Sequence, residues 1–151
     1  MPGYILAFLP VLALSYLLSS LFYGSQLAPQ VAVIHLPLWA GMYSVVVWPV
    51  IWGFTEEVVY LGYLLPRMEV LTKRVWLAGV IVVLFWGIQH FVIPFIPDGK
   101  YLISRYIIAT VTVGGLTLIF LLWGKRMIPA IIVHYLSDFG TALLVAFLLH
   151  G

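Results

Sequence analysis

The chain has no cysteine. Disulfide frameworks and thiolate metal sites are therefore excluded, and cysteine usage says nothing about a redox compartment. Charge is almost as scarce. Only 8% of the residues are charged against 64% hydrophobic, and mean hydropathy is +1.16. A soluble domain has about one quarter charged residues and about one half apolar ones, so this composition points to a lipid bilayer as solvent. The net charge of +2 is too small to recommend nucleic acid as a partner. No Lys or Arg precedes the first apolar run, which argues against a cleaved signal peptide. No internal repeat or low-complexity tract is visible. With 151 residues the chain reads as a single domain, 1–151.

What is present is a series of apolar runs separated by charges and by Gly/Pro clusters. Residues 4–23 are long enough to cross a hydrocarbon core of ~30 Å, and "GSQLAPQ" reads as a turn. From Val31 to Leu65 the run is too long for one simple span, so the expectation is one helix starting near Pro37 and kinked at Pro49. "PRMEVLTKR" and "DGKYLISR" read as polar loops around a span over 75–96. Further spans are expected over 106–123 and 127–149. The predicted fold is an all-α, polytopic transmembrane bundle of about five spans. The loops holding Arg67, Lys73, Arg74, Lys125 and Arg126 share one side with the N-terminus, and only Lys100 and Arg105 lie opposite. The excess of positive charge places the N-terminus in the cytoplasm and suggests a multi-pass protein of the cell membrane.

Of the seven Lys/Arg and five Asp/Glu, only Glu56, Glu57 and Asp138 fall inside predicted spans. A charge near the bilayer centre costs several kcal/mol or more and usually marks a site. His90 and His134 also lie deep in their spans. His134 and Asp138 in "HYLSD" are four residues apart and share a helix face, as do Trp86 and His90 in "WGIQH". Glu56 and Glu57 differ by about 100° around a helix axis, so one is expected to face a cavity and the other to tie down a neighbouring helix. Glu56, His90 and His134 are expected to converge on one polar cavity. Carboxylates and imidazoles from three helices are the parts of a general-base site: a carboxylate takes a proton from water, and an imidazole holds the water or an oxyanion. Glu56, His90 and His134 are also a plausible zinc set. His35 and His150 read as helix–helix or interfacial polar groups, Trp86 as packing or an interfacial anchor, and Gly114–Gly115 as a site of close helix packing.

In chain order, "EEVVYLGYLLPR", "FWGIQH" and "HYLSD" resemble the three motifs of the CPBP family, the type II CAAX prenyl endopeptidases and bacteriocin-processing membrane proteases. The family-like core runs over about 37–149. The resemblance implies a glutamate-dependent intramembrane endopeptidase that hydrolyses a peptide bond in a membrane-embedded cavity. Glu56 would be the general base that activates water, and His90 would orient that water. His134 and Asp138 would stabilise the oxyanion, and Glu57 would be the structural second glutamate. Zinc or another divalent metal is a candidate cofactor, although a purely glutamate-dependent mechanism needs none. The substrate would be a peptide or protein with a membrane-proximal or C-terminal segment.

The chain departs from the family pattern at one position. The motif Arg, four residues after the second glutamate, is replaced by Leu61. Glu57 is then expected to accept hydrogen bonds from backbone or hydroxyl groups of an adjacent helix, or to carry a proton. Two other readings stay open. A catalytically silent family member would act as a scaffold or immunity protein. An ion-coupled carrier would bind ions at Glu56, Glu57 and Asp138.

Overall fold

The computed structural model describes residues 2–24, 28, 37–92 and 95–143. Among these every regular element is helical. Helix α1 spans Pro2–Tyr23, α2 Leu38–Val46 and α3 Trp48–Glu57, followed by a π-helical segment Val58–Leu64. Helix α4 spans Leu65–Thr72, α5 Val75–Val92, α6 Gly99–Leu122 and α7 Met127–Leu143. From α2 to α4 the backbone forms one 35-residue rod, Leu38–Thr72, broken at Val47. Pro49 follows that break within the first turn of α3, where its missing N–H costs no hydrogen bond. The kink expected at Pro49 is thus a change of helix just before it.

Pro2–Tyr23, the rod and α6 are long and apolar enough to cross a membrane, and α5 and α7 are shorter apolar helices. Large apolar side chains, such as Leu21, Trp39, Val80 and Leu122, point outward, as a lipid-facing surface requires. The chain is an all-α membrane helix bundle.

Two expected loops prove to be helix. The rod continues through "PRMEVLT" and ends only at Lys73, which takes the left-handed conformation (φ 54°) and closes the helix by donating its N–H to the Glu69 carbonyl. At the other end, α6 begins at Gly99. The Asp98 carboxylate caps it by accepting from the Tyr101 N–H at 2.6 Å. Charges near helix ends are tolerated there and mimic interruptions between helices. Arg67 and Glu69 therefore belong to α4, and Lys100 and Arg105 to α6. The last span is described only to Leu143. Most of the expected "GSQLAPQ" turn, His35 and His150 lie outside the described residues.

Helix α6 is the central post, with α1 and α5 packed along it, while α3 packs along α7. Each helix buries a row of residues set by its own period. Helix α5 buries Ala78, Val82 and Trp86, each fully, and the next position in that four-residue row is His90. Helix α7 buries Ala130, His134 and Ala142, and Asp138 lies in the same row. The two sequence motifs therefore sit where core-facing rows continue into polar chemistry. Lipid is as apolar as leucine, so close packing rather than exclusion from water must hold such a bundle together. A Cβ on Gly115 would lie 2.5 Å from the Val11 side chain. That glycine lets α1 and α6 touch, whereas Gly114 would meet Val83 at an ordinary 3.5 Å.

The basic connections gather at one end of the bundle. Lys125 Nζ, between α6 and α7, pairs with Glu69 Oε1 on α4 at 2.5 Å.

Candidate active site

Three helices build the site: α3 with its π-helical extension, α5 and α7. Gly53, one turn before the glutamates, sits directly against the backbone of α7. A Cβ there would stand 3.2 Å from the Tyr135 backbone nitrogen. This contact brings Glu56 and Glu57 level with His134.

The two carboxylates are both buried, Glu57 completely. Their offset of about 100° aims them at different helices. Glu56 faces α5. Its Oε2 accepts from the Trp86 indole Nε1 at 2.7 Å, and its Oε1 accepts from the Gln89 side-chain amide. Glu57 faces α7, where its Oε1 accepts from His134 Nδ1 at 3.0 Å. Each glutamate thus ties down a neighbouring helix. The partner of Glu57 is an imidazole, not the backbone or hydroxyl group expected from the sequence. Its second oxygen, Oε2, is buried without a hydrogen-bond partner among the described residues.

His134 is the hub of the acidic groups. With Nδ1 donating to Glu57, its Nε2 faces Asp138 Oδ2 at 3.6 Å and Glu56 Oε2 at 3.8 Å. Both separations exceed a direct hydrogen bond. The ring also lies 5.8 Å from that of Trp86. One imidazole is therefore surrounded by three carboxylates and fastened to one of them.

His90 stands apart from this hub. Its Nδ1 pairs with the Trp86 carbonyl one turn back, at 3.1 Å. A carbonyl only accepts, so Nδ1 carries a proton, and in the neutral ring Nε2 is left as an acceptor. Among the described residues no carboxylate oxygen lies within 4 Å of a His90 ring nitrogen. The structure brings Glu56, Glu57, His134 and Asp138 into one cluster and joins His90 to it through Trp86.

A zinc site of Glu56, His90 and His134 needs three donors around one point. No group of three His, Asp or Glu with that geometry occurs among the described residues. The Glu56 oxygen nearest His134 already accepts the Trp86 N–H. The residues as arranged do not fit a three-ligand metal site.

Several residues have roles at the site beyond those the sequence suggests. Trp86 is not merely packing, since its N–H binds Glu56. Gln89 is uncharged and Tyr60 is one aromatic among many in the apolar spans, although its four-residue offset from Glu56 is a usable signal. Arg105, assigned to a loop, lies in α6 with its Nε buried and unpartnered among the described residues. Leu61, at the motif-Arg position, is 1% exposed and belongs to the apolar core.

Compared with known proteins, the chain matches the family described as type II CAAX prenyl endopeptidase Rce1-like over residues 37–140. No curated protein and no solved structure matches it. The match spans the rod, α5, α6 and most of α7, and so includes all three motifs and every residue of the cluster. The chain belongs to the type II CAAX prenyl endopeptidase Rce1-like family.

Proposed function

We propose that this chain is an intramembrane endopeptidase in which Glu56 is the general base. The observation that carries the reading is the setting of Glu56: a buried carboxylate, held by two N–H donors from α5, that faces the Nε2 of His134 across a 3.8 Å gap. The two N–H donors fix the orientation of both carboxylate oxygens. The gap lies beyond hydrogen bonding and within reach of a shared small group.

In the proposed reaction Glu56 takes a proton from water, and the hydroxide oxygen bonds to the scissile carbonyl carbon. The carbonyl oxygen becomes an oxyanion, which His134 stabilises through its Nε2 edge. Glu57 holds the other side of that ring, as an orienting carboxylate should. Asp138 Oδ2 faces the same Nε2 edge at 3.6 Å and steadies the ring. His90, with Nε2 free as an acceptor, orients the water. When the C–N bond breaks, the proton on Glu56 passes to the leaving amine, and the base is regenerated. Each step uses side chains of this protein alone.

The substrate is a peptide segment near the membrane surface or at a protein C-terminus. The N-terminus and the basic end of the bundle lie in the cytoplasm of a cell-membrane protein. The test is cleavage of a peptide library by the purified protein in detergent, wild type against Glu56→Gln. The glutamine keeps shape and hydrogen bonding but cannot take the proton, so turnover should fall by about 100-fold or more. Near wild-type turnover in Glu56→Gln, with loss in Glu57→Gln, would reverse the two roles.

A second reading has one observation in its favour. Leu61 replaces the motif Arg inside the core, and Glu57 Oε2 is left without a partner. A catalytically silent member acting as a scaffold or immunity protein would tolerate that loss. The same library assay separates the two, since a silent member cleaves nothing.

A further inference from the structure

Glu56 is held by an amide, and that amide is itself held. The Tyr60 hydroxyl donates to Gln89 Oε1 at 2.6 Å, and Gln89 Nε2 donates to Glu56 Oε1. The Tyr60 ring lies flat on Trp86, with centroids 4.7 Å apart and planes 7° from parallel. Trp86 Nε1 closes the circuit by donating to Glu56 Oε2 at 2.7 Å. Three side chains, Tyr60, Gln89 and Trp86, close a ring with the Glu56 carboxylate, and none of the three takes a direct part in the reaction above.

The direction of this circuit carries information. A primary amide has a carbonyl oxygen on one side and N–H groups on the other, and turning it by a half circle exchanges them. An ionised carboxylate can only accept, so it requires the N–H side. The amide oxygen then faces away and must find a donor, because a buried unsatisfied carbonyl costs about 1–3 kcal/mol. Tyr60 is that donor. Once Glu56 is protonated the demands invert: its O–H needs an acceptor, the amide turns its oxygen inward, and the outward N–H needs an acceptor. The phenol oxygen serves there too, because a hydroxyl both donates and accepts. No covalent bond breaks in Tyr60 or Gln89; the hydroxyl rotates and the amide flips.

Resting on the reading of Glu56 as the base, we propose that Tyr60 and Gln89 are positioning residues, a reversible hydrogen-bond relay that satisfies Glu56 both before and after it takes the proton. A mere packing role for Tyr60 would be met equally by phenylalanine, which keeps the stack on Trp86.

The test uses the full chain in detergent micelles and has two arms. In the kinetic arm, Tyr60→Phe should lower kcat about 10-fold, the worth of one hydrogen bond, with KM changed by less than about twofold. Gln89→Met should lower kcat by at least as much. The double variant should be no worse than Gln89→Met, because without the amide the phenol has nothing to orient. Wild-type kcat in Tyr60→Phe, or independent multiplication of the two losses, would overturn the proposal. The second arm needs no activity. The chain has three glutamines, Gln26, Gln30 and Gln89, so selective 15N labelling gives three side-chain amide pairs. The Gln89 pair should move in Tyr60→Phe and in Glu56→Gln, which adds a fourth pair of its own, while the pairs of Gln26 and Gln30 stay in place. A Gln89 pair unmoved by either change overturns the relay. A pair that responds in a protein that cleaves no peptide supports the relay and overturns the peptidase reading instead.

Discussion

Putting the family's arginine back at position 61 is a sharp test of how this site is balanced. Leu61→Arg would bring a cation within reach of Glu57, whose Oε2 is buried and without a partner among the described residues. Charged hydrogen bonds to that oxygen would return about 1.5–3 kcal/mol. Against this stands the position itself: Leu61 is 1% exposed and part of the core that contains Leu65, Trp86 and Val133. The longer side chain overfills that core, at roughly 1–3 kcal/mol. Taking the guanidinium out of water costs several kcal/mol more. The cost wins, and the variant should be less stable than wild type by about 2–4 kcal/mol, the balance of these terms. This reverses the expectation from the motif alone, in which restoring the arginine stabilises the protein. The assay is reversible unfolding in mixed micelles of four proteins: wild type, Leu61→Arg, Glu57→Gln and the double variant. If the arginine reaches Glu57, it should be more damaging in the Glu57→Gln background, with a coupling of about 1.5 kcal/mol or more. A Leu61→Arg protein as stable as wild type would refute the packing argument, and zero coupling would refute the contact with Glu57.

Three other outcomes can be checked in parallel. Trp86→Phe keeps an aromatic ring but removes the donor to Glu56 Oε2 and leaves a void; a lost charged hydrogen bond and ~40 Å³ at ~24 cal/mol per Å³ together predict about 2.5–4 kcal/mol lower unfolding free energy. Gly53→Ala places a methyl 3.2 Å from the Tyr135 backbone nitrogen; pushing α3 from α7 should cost about 1–3 kcal/mol and lower peptide turnover by stretching the Glu57–His134 bond. Since the chain has no cysteine, single replacements report sidedness cleanly: Lys73→Cys and Lys125→Cys should react with an impermeant maleimide from the same side of a vesicle, and Lys100→Cys from the other.

The sequence made the class of fold legible because a bilayer leaves few options. Long apolar runs must be helices, so the rod, α1 and α6 were visible in outline. Helix ends were less visible, for a physical reason. Arg67 and Glu69 sit in a helix that outruns the apolar core, and Arg105 sits inside α6, so charge marks the ends of helices less reliably than their middles. The Asp98 cap was a readable start signal that the polar "DGKYLISR" pattern masked. Within the site, Glu56, Glu57, His134 and Asp138 stood out because ionisable groups are rare in apolar runs. Gln89 and Tyr60 did not, since a neutral amide and a phenol are cheap to bury once paired, and the pairing exists only in three dimensions. The partner of Glu57 could not be read either, because it depends on α3 meeting α7 at Gly53.

The π-helical turn at Val58–Leu64 has a bearing on how this rod can change. A π-turn holds an extra residue in its wider spiral, and so takes up one more residue than an α-turn would without shifting its two flanks. The rod is therefore two screws joined by a compensating collar. The upper screw aims Glu56 at α5 and Glu57 at α7. The lower one aims Glu69 at Lys125. Removing one residue from the collar would let a plain α-helix run through and leave both ends aimed as they are, because the wider π-turn and the α-turn each complete one rotation. The same deletion in a flanking α-helix would turn one end by about 100° against the other. Swapping Val58 or Val59 for another apolar residue should be tolerated, and a single deletion there should leave the acidic cluster and the Glu69–Lys125 pair in place, whereas a deletion at Met68 should turn Glu69 away from Lys125.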